Sequence, residues 1–400
     1  MTGLFTRLRR LRAARAQAGP SRAGFAKRAS ALGRRSAMAA RCGASVVRCF
    51  GSLSFGSPAL ATRSVRAFSV ATLSVGVLSL TLSLSATPAR AACSGTDLRQ
   101  AIPAALQAEI DAELARTPYA HGLSWIATRG TRRLHIIGTM HLNDPRHDAL
   151  VAHMTPALEA ADALLVEINE TDKAAMTKTL ADRPAMVFIT EGPTLIDRIP
   201  PQDWARIADL AQAAGIPAFM AAKMRPWFLG MSLAVPRCAR AIPDVTEGLD
   251  MQLLRVAAAA GVPALSLEDP LSLFRTLNEP PIEEQIEELR SYITLMRVGP
   301  DDFYTMLESY FEGEVQAYAL LQLKQYLAAD LPTPVAKRQA QIDAAMADLL
   351  YDRNRAWIPV IDSTPGDLLV VAVGAAHLPG EAGVLALLEA EGYTIEEAPL

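Results

Sequence analysis

"LHIIGTMHLNDPR", residues 134–146, decides how the rest of this chain is read. An apolar run ends on Gly138-Thr139-Met140-His141, and an Asp-Pro-Arg turn follows. Such a run is a buried strand, and a second one, "SWIATRG", precedes it with only "RGTR" between, which predicts a hairpin. Downstream, "DPRHDALVAHMTPALEAAD" sets Leu150, Val151, Met154, Leu158 and Ala161 at helical spacing, with Pro145 and Pro156 read as breaks. Then "ALLVEIN", residues 163–169, is a buried strand interrupted by Glu167. Strand, helix, strand is a βαβ crossover, so these two strands are expected to run parallel with a right-handed connection.

The same grammar extends along the chain. "LAQAAGIPAFMA" (210–221) and "VAAAAGVPALSLED" (256–269) each read as an Ala-rich helix, a glycine stop, a proline and an apolar strand. From Pro281 to about Trp357 the pattern is helical, and the chain closes with strand "DLLVVAVG", loop "AAHLPG", helix "EAGVLALLEAEG" and strand "YTIEEA". The expected class is α/β: a central mixed, largely parallel sheet, helices on both faces, and a helical subdomain over about 281–357.

Charge divides the chain in two. No Asp or Glu precedes Asp97; the first 91 residues hold 15 of the 39 Lys and Arg, leaving 24 basic against 42 acidic residues beyond them. A body with a net charge of −18 is a poor partner for nucleic acid, whose binding rests on neutralising phosphates. The basic leader carries an uncharged, mostly apolar stretch before "ARAAC", a small-x-small cleavage pattern releasing a chain that begins near Ala92. Residues 1–91 are therefore expected to be an export leader and residues 92–400 the α/β domain, in the periplasm or cell envelope. An organellar leader and an uncleaved membrane anchor are the alternatives. Cys42 and Cys49 lie in the leader, so Cys93 and Cys238 are the pair open to a disulfide; two unrelated thiols is the other reading.

Ligands of open α/β sheets bind outside the carboxyl ends of the strands. Four such ends carry polar groups here: His141, Glu167, Glu268 with Asp269, and His377. Two of them share the spacing Gly-x-x-His, in "GTMH" and "GAAH", where glycine is expected to allow a tight exit from the sheet. Two imidazoles and a carboxylate suit a divalent ion of manganese, cobalt or zinc type, or general acid–base chemistry around it. Taken singly, each feature has a plainer reading, and Glu167 paired with a buried Arg353 is the structural one. His147 and His153 read as helix surface, His135 as a satisfied strand residue and His121 as a loop residue. In "KMRPWFLG", expected to follow a strand, Lys223 or Arg225 is a candidate for an anionic substrate group, a structural turn with a packed Trp227 being the plainer reading; Arg146 in the Asp-Pro-Arg turn and the edge carboxylate Glu268 are candidates for other substrate groups. "DRNRAW" puts Arg353, Asn354 and Trp357 on one helical face.

Six segments in order, "GTMHLNDPR", "LLVEIN", "RPWFLG", "EGLDMQLLRVAAAAGVPALSLED", "DRNRAW" and "VAVGAAHLPGEAGVLALLEAEGYTI", resemble the TraB/PrgY/GumN family, its bacterial GumN-like branch most. The resemblance runs from about residue 118 to 400. It implies kinship with the Tiki metal-dependent proteases and a fold shared with erythromycin-esterase-like hydrolases. Carried over, it implies an active centre of His141, His377 and Glu167, with Arg353 and Asn354 matching the Arg-Asn signature. The implied activity is metal-dependent hydrolysis of a peptide or similar amide; a non-catalytic peptide-binding or sequestering role is the alternative, since the family brings no settled substrate.

Overall fold

The computed structural model describes residues 94–400, apart from 236, 241, 243, 296–299, 332 and 399. The leader and Cys93 lie outside the described residues. Six strands form one sheet: β1 (Ser124–Arg129), β2 (Arg132–Thr139), β3 (Ala163–Val166), β4 (Ala264–Ser266), β5 (Leu368–Gly374) and β6 (Thr394–Glu397). Their order across the sheet is β4-β3-β5-β2-β1-β6. β4, β3, β5 and β2 run parallel, while β1 pairs antiparallel with both β2 and β6. The sheet is mixed and mostly parallel, and the class is α/β.

Alternation along the strands feeds two cores. Leu134, Ile136, Leu165, Leu369, Val371 and Val373 face one side, against Trp357, Ile361, Leu385 and Leu388 of the helices Asp352–Ser363 and Val384–Ala390. Ile137, Leu164, Val166, Val370 and Ala372 face the other, against Leu150, Met154 and Leu158 of helix His147–Glu159 and Leu253 and Ala257 of helix Leu249–Ala260. Burial of each such aliphatic side chain is worth about 1.5–3 kcal/mol, so the two-sided apolar pattern is what holds the central strands inside.

The crossover from β2 to β3 does not join neighbours. β5, arriving more than two hundred residues later, inserts between them and pairs Gly374 with Thr139 on one side and Ala372 with Val166 on the other. This order sets the site: the strand ends bearing Glu268, Glu167, His377 and His141 follow one another along a single edge of the sheet.

Three expectations change. Helix His147–Glu159 runs through Pro156 instead of breaking there, and Thr155 Oγ1 bonds the Val151 carbonyl one turn back. Residues Ala218–Ala221 form a short helix, not a strand, because "AFMA" after Pro217 lacks the β-branched residues that favour the pleat; only an isolated bridge, Phe188 to Met224, remains. That region builds its own core, in which Leu195, Trp204 and Ile207 pack on Leu229, Leu233, Ile286 and Leu289. His147 is fully buried, not on the helix surface, with its ring against Tyr310 and Phe311 at centroid distances of 5.9 and 5.4 Å.

Candidate active site

β3 stops at Val166, and Glu167 is the first residue past its end. Oε1 accepts the backbone N–H of Gly374 at 2.8 Å, and Oε2 accepts Arg353 Nη2 at 2.6 Å. Burial alone would raise the carboxyl, but the His141 and Arg353 charges and that N–H hold it down at about 2.

His377 ends a short 3₁₀ turn directly after β5 and is buried. Asn354 Nδ2 donates to the carbonyls of His377 and Ala382, so its Oδ1 is the acceptor facing His377 Nδ1 at 2.6 Å. The proton of the neutral ring therefore sits on Nδ1, and the Nε2 lone pair points at the site. Burial, with Trp357 against the ring at 4.4 Å, takes the imidazole down to about 4 and keeps it neutral. Nε2 lies 3.9 Å from Glu167 Oε1 and 3.3 Å from Arg353 Nη1.

His141 has a carboxylate, not an amide, beside its far nitrogen. Its Nδ1 faces Asp250 Oδ1 at 3.3 Å, and its Nε2 faces Glu167 Oε1 at 3.7 Å. Contact with Asp250, then the Glu167 charge, raises the imidazole to about 9. With 59 % of that side chain in solvent, screening leaves the pair little weight in folding stability. Asp250 is the residue that motif reading missed. It opens helix Leu249–Ala260, where an acid near the N-terminus looks like an ordinary favourable first-turn charge. A second signal was Gly248: a Cβ there would fall 2.3 Å from the Met140 carbonyl oxygen and 2.5 Å from His141 Cα. That close approach, sealed by Leu249 N–H to Met140 O at 2.9 Å, is what brings Asp250 up to His141.

The motif glycines serve space, not backbone freedom. Gly374 has φ −51° and ψ 134°, open to any residue. A Cβ on it would sit 3.1 Å from Glu167 Oε1, 3.4 Å from His377 Cδ2 and 3.6 Å from His141 Nε2. Glycine thus keeps clear a cradle among the three side chains. A Cβ on Gly138 would meet Ala375 Cβ at 2.9 Å, so the first motif packs its glycine directly on the second motif's loop.

Arg353 follows a π-helical turn, Ala347–Tyr351, and its five N–H groups are all engaged. Nε and Nη2 grip Glu268 at 3.0 and 2.8 Å; Nη2 also reaches Glu167, and Nη1 takes the Leu349 carbonyl at 2.8 Å and His377 at 3.3 Å. To reach a substrate carbonyl it must surrender one of these, and the His377 contact is the longest.

Donor chemistry and cradle both suit a divalent ion: the Nε2 of neutral His377, the Nε2 of His141 once it gives up its proton, one carboxylate oxygen, and a clear space between. The spacing is looser than a closed shell, since ligands about 2.1 Å from a tetrahedral ion sit about 3.4 Å apart. Among the described residues, no group of three or more His, Cys, Asp or Glu is drawn tightly enough to hold an ion as it stands.

The remaining candidates scatter. Glu268 joins the cluster through Arg353. Arg146 instead ties its own turn together, bound to Asp144 at 2.9 and 3.0 Å, to Glu308 at 2.7 Å, and stacked on Phe311 at 3.9 Å. Arg225 lines a separate cavity in the 184–295 region. Cys238 is disulfide-bonded.

Residues 123–397 match the model of the TraB/PrgY/gumN family, the same span that carries the sheet and both Gly-x-x-His loops. The chain belongs to that family. It is also 26% identical over 268 residues to the uncharacterized protein YbaP of Escherichia coli K12, across 66% of this chain and 90% of YbaP. The YbaP of Shigella flexneri matches at the same identity and coverage.

Proposed function

We propose that this family member is a metal-dependent hydrolase that cuts a peptide or similar amide, working in the periplasm or cell envelope to which its leader directs it. The observation that carries the reading is the convergence of two oriented imidazole Nε2 atoms on one Glu167 oxygen, across a space that Gly374 leaves clear. A divalent ion of manganese, cobalt or zinc type held by His141, His377 and Glu167 would lower the pKa of a bound water and polarise a carbonyl.

The chain's own residues supply the rest. Asn354 holds the Nδ1 proton of His377, and the Asp250 carboxylate stands 3.3 Å from His141 Nδ1, which leaves both Nε2 atoms on the Glu167 side. Glu167, held near 2, is ionised throughout the physiological range; that suits a ligand better than a base, which works best poised near the operating pH. Arg353 keeps Glu167 and Glu268 neutralised in a half-buried setting and, on releasing His377, has an N–H to offer a developing oxyanion.

A second reading, a binding or sequestering protein without turnover, is favoured by one observation: Arg353 already satisfies Glu167 and the His377 lone pair, so the cluster is stable with no ion. Metal analysis paired with a peptide-library cleavage assay separates them. The hydrolase reading expects a stoichiometric divalent metal and cleavage in the wild type, both lost in His141→Ala and His377→Ala. Peptide binding with neither metal nor cleavage in the wild type would replace it with the second reading.

A further inference from the structure

The "KMRPWFLG" segment is not absorbed by the Glu167 site. Its backbone runs against residues 187–189: Ile189 N–H bonds Lys223 O at 2.6 Å, and Arg225 N–H bonds Val187 O at 2.8 Å. Asn278 fastens both sides, donating to Met186 O at 2.7 Å and accepting Trp227 Nε1 at 3.0 Å. Arg225 is thereby held at its backbone, and its Nε donates to Ala185 O at 3.1 Å, which sets the plane of the guanidinium. Nη1 and Nη2 have no partner among the described residues.

Arg225 lines a cavity of about 420 Å³, within the range of small-ligand sites. Phe188, Ile189, Pro280 and Pro281 give it apolar walls, and Arg198 and Glu191 complete its polar rim. Arg198 gives Nη1 to Glu283 at 2.5 Å and Nε to Pro193 O, whereas Arg225 keeps both Nη1 and Nη2 without a partner among the described residues and so offers the fuller fork of donors. A pinned planar fork matches a carboxylate in bidentate fashion. The Glu191 carboxylate disfavours a multiply charged anion such as phosphate by like-charge repulsion. The walls ask for an apolar group beside the bound charge.

We propose that this cavity binds the C-terminal residue of a peptide, its carboxylate on Arg225 and an apolar side chain against Phe188 and the two prolines. The choice of a peptide rests on the proposed function; the binding itself needs neither metal nor turnover. The test is calorimetric binding to the full chain of a tetrapeptide ending in free leucine, of the same peptide amidated, and of inorganic phosphate. The free acid is expected to bind, the amide at least about tenfold more weakly, in line with the loss of a charge-assisted pair. Arg225→Gln should lose a similar factor, while Lys178→Gln, on an exposed surface ion pair, binds as the wild type does. Equal affinity for acid and amide on the wild type overturns the assignment whether or not the variant folds, as does unchanged binding in a folded Arg225→Gln. Phosphate binding more tightly than the peptide overturns the ligand class. Selective binding of the free acid with no metal and no cleavage would sink the hydrolase reading and leave this one standing.

Discussion

Gly374→Ala isolates the cradle from every other property of the site. At φ −51° and ψ 134° alanine meets no backbone strain, so the change acts only through one methyl group. That methyl would stand 3.1 Å from Glu167 Oε1, tighter than an ordinary contact, and 3.4 and 3.6 Å from His377 and His141. The carboxylate must give by a few tenths of an ångström, while the loss of glycine's freedom in the unfolded chain returns about 0.4–1 kcal/mol. Net folding stability should therefore stay within about 1 kcal/mol of wild type. Ion binding should suffer far more, because the methyl fills the space the three donors enclose; a fall of at least about 10–100-fold is expected, the scale seen when a ligand's orientation is disturbed. Urea melts of the apo proteins and calorimetric titration with manganese, cobalt and zinc read the two effects separately. Wild-type metal affinity in a well-folded Gly374→Ala protein would refute the cradle.

Glu167→Gln should cost only about 1–2 kcal/mol in urea melts, below the 3–5 of a simple broken buried pair, because Arg353 keeps both oxygens of Glu268. Arg353→Ala leaves two carboxylates without their cation and should cost about 3–5 kcal/mol, with the double variant below the sum of the singles; strict additivity would show that the 2.6 Å pair is not coupled. Gly248→Ala drives a methyl into the Met140–His141 backbone and should destabilise by about 1–3 kcal/mol in the same assay, with metal binding weakened through His141; a neutral result would mean the helix start can slide. His147, held by burial at about 4, favours the folded state while neutral, so its contribution is present above the unfolded value of 6.5 and fades as pH falls through 4. Between pH 7 and 5 the wild type should lose about 2 kcal/mol more than His147→Gln, and parallel melting curves would contradict that.

Much of this protein could be read from its residues. Unbroken apolar runs such as "LLVVAV" mark strands buried on both faces, and glycine followed by histidine three residues on marks the ends where chemistry collects. Spacing in "DRNRAW" places Arg353, Asn354 and Trp357 on one face, and all three meet the site. These are local properties, dictated by the periods of helix and strand. What tertiary structure alone decided is the neighbour order: β5 slides between β2 and β3, so His377 stands between His141 and Glu167, and no periodicity encodes which strand lies beside which. Asp250 and Gly248 reach His141 only through a close helix approach. His147 carries the same lesson. On paper it is a polar residue opening a helix, yet two aromatic rings from a helix over one hundred and fifty residues away bury it, because long-range packing, not local pattern, sets which side of a helix end meets solvent.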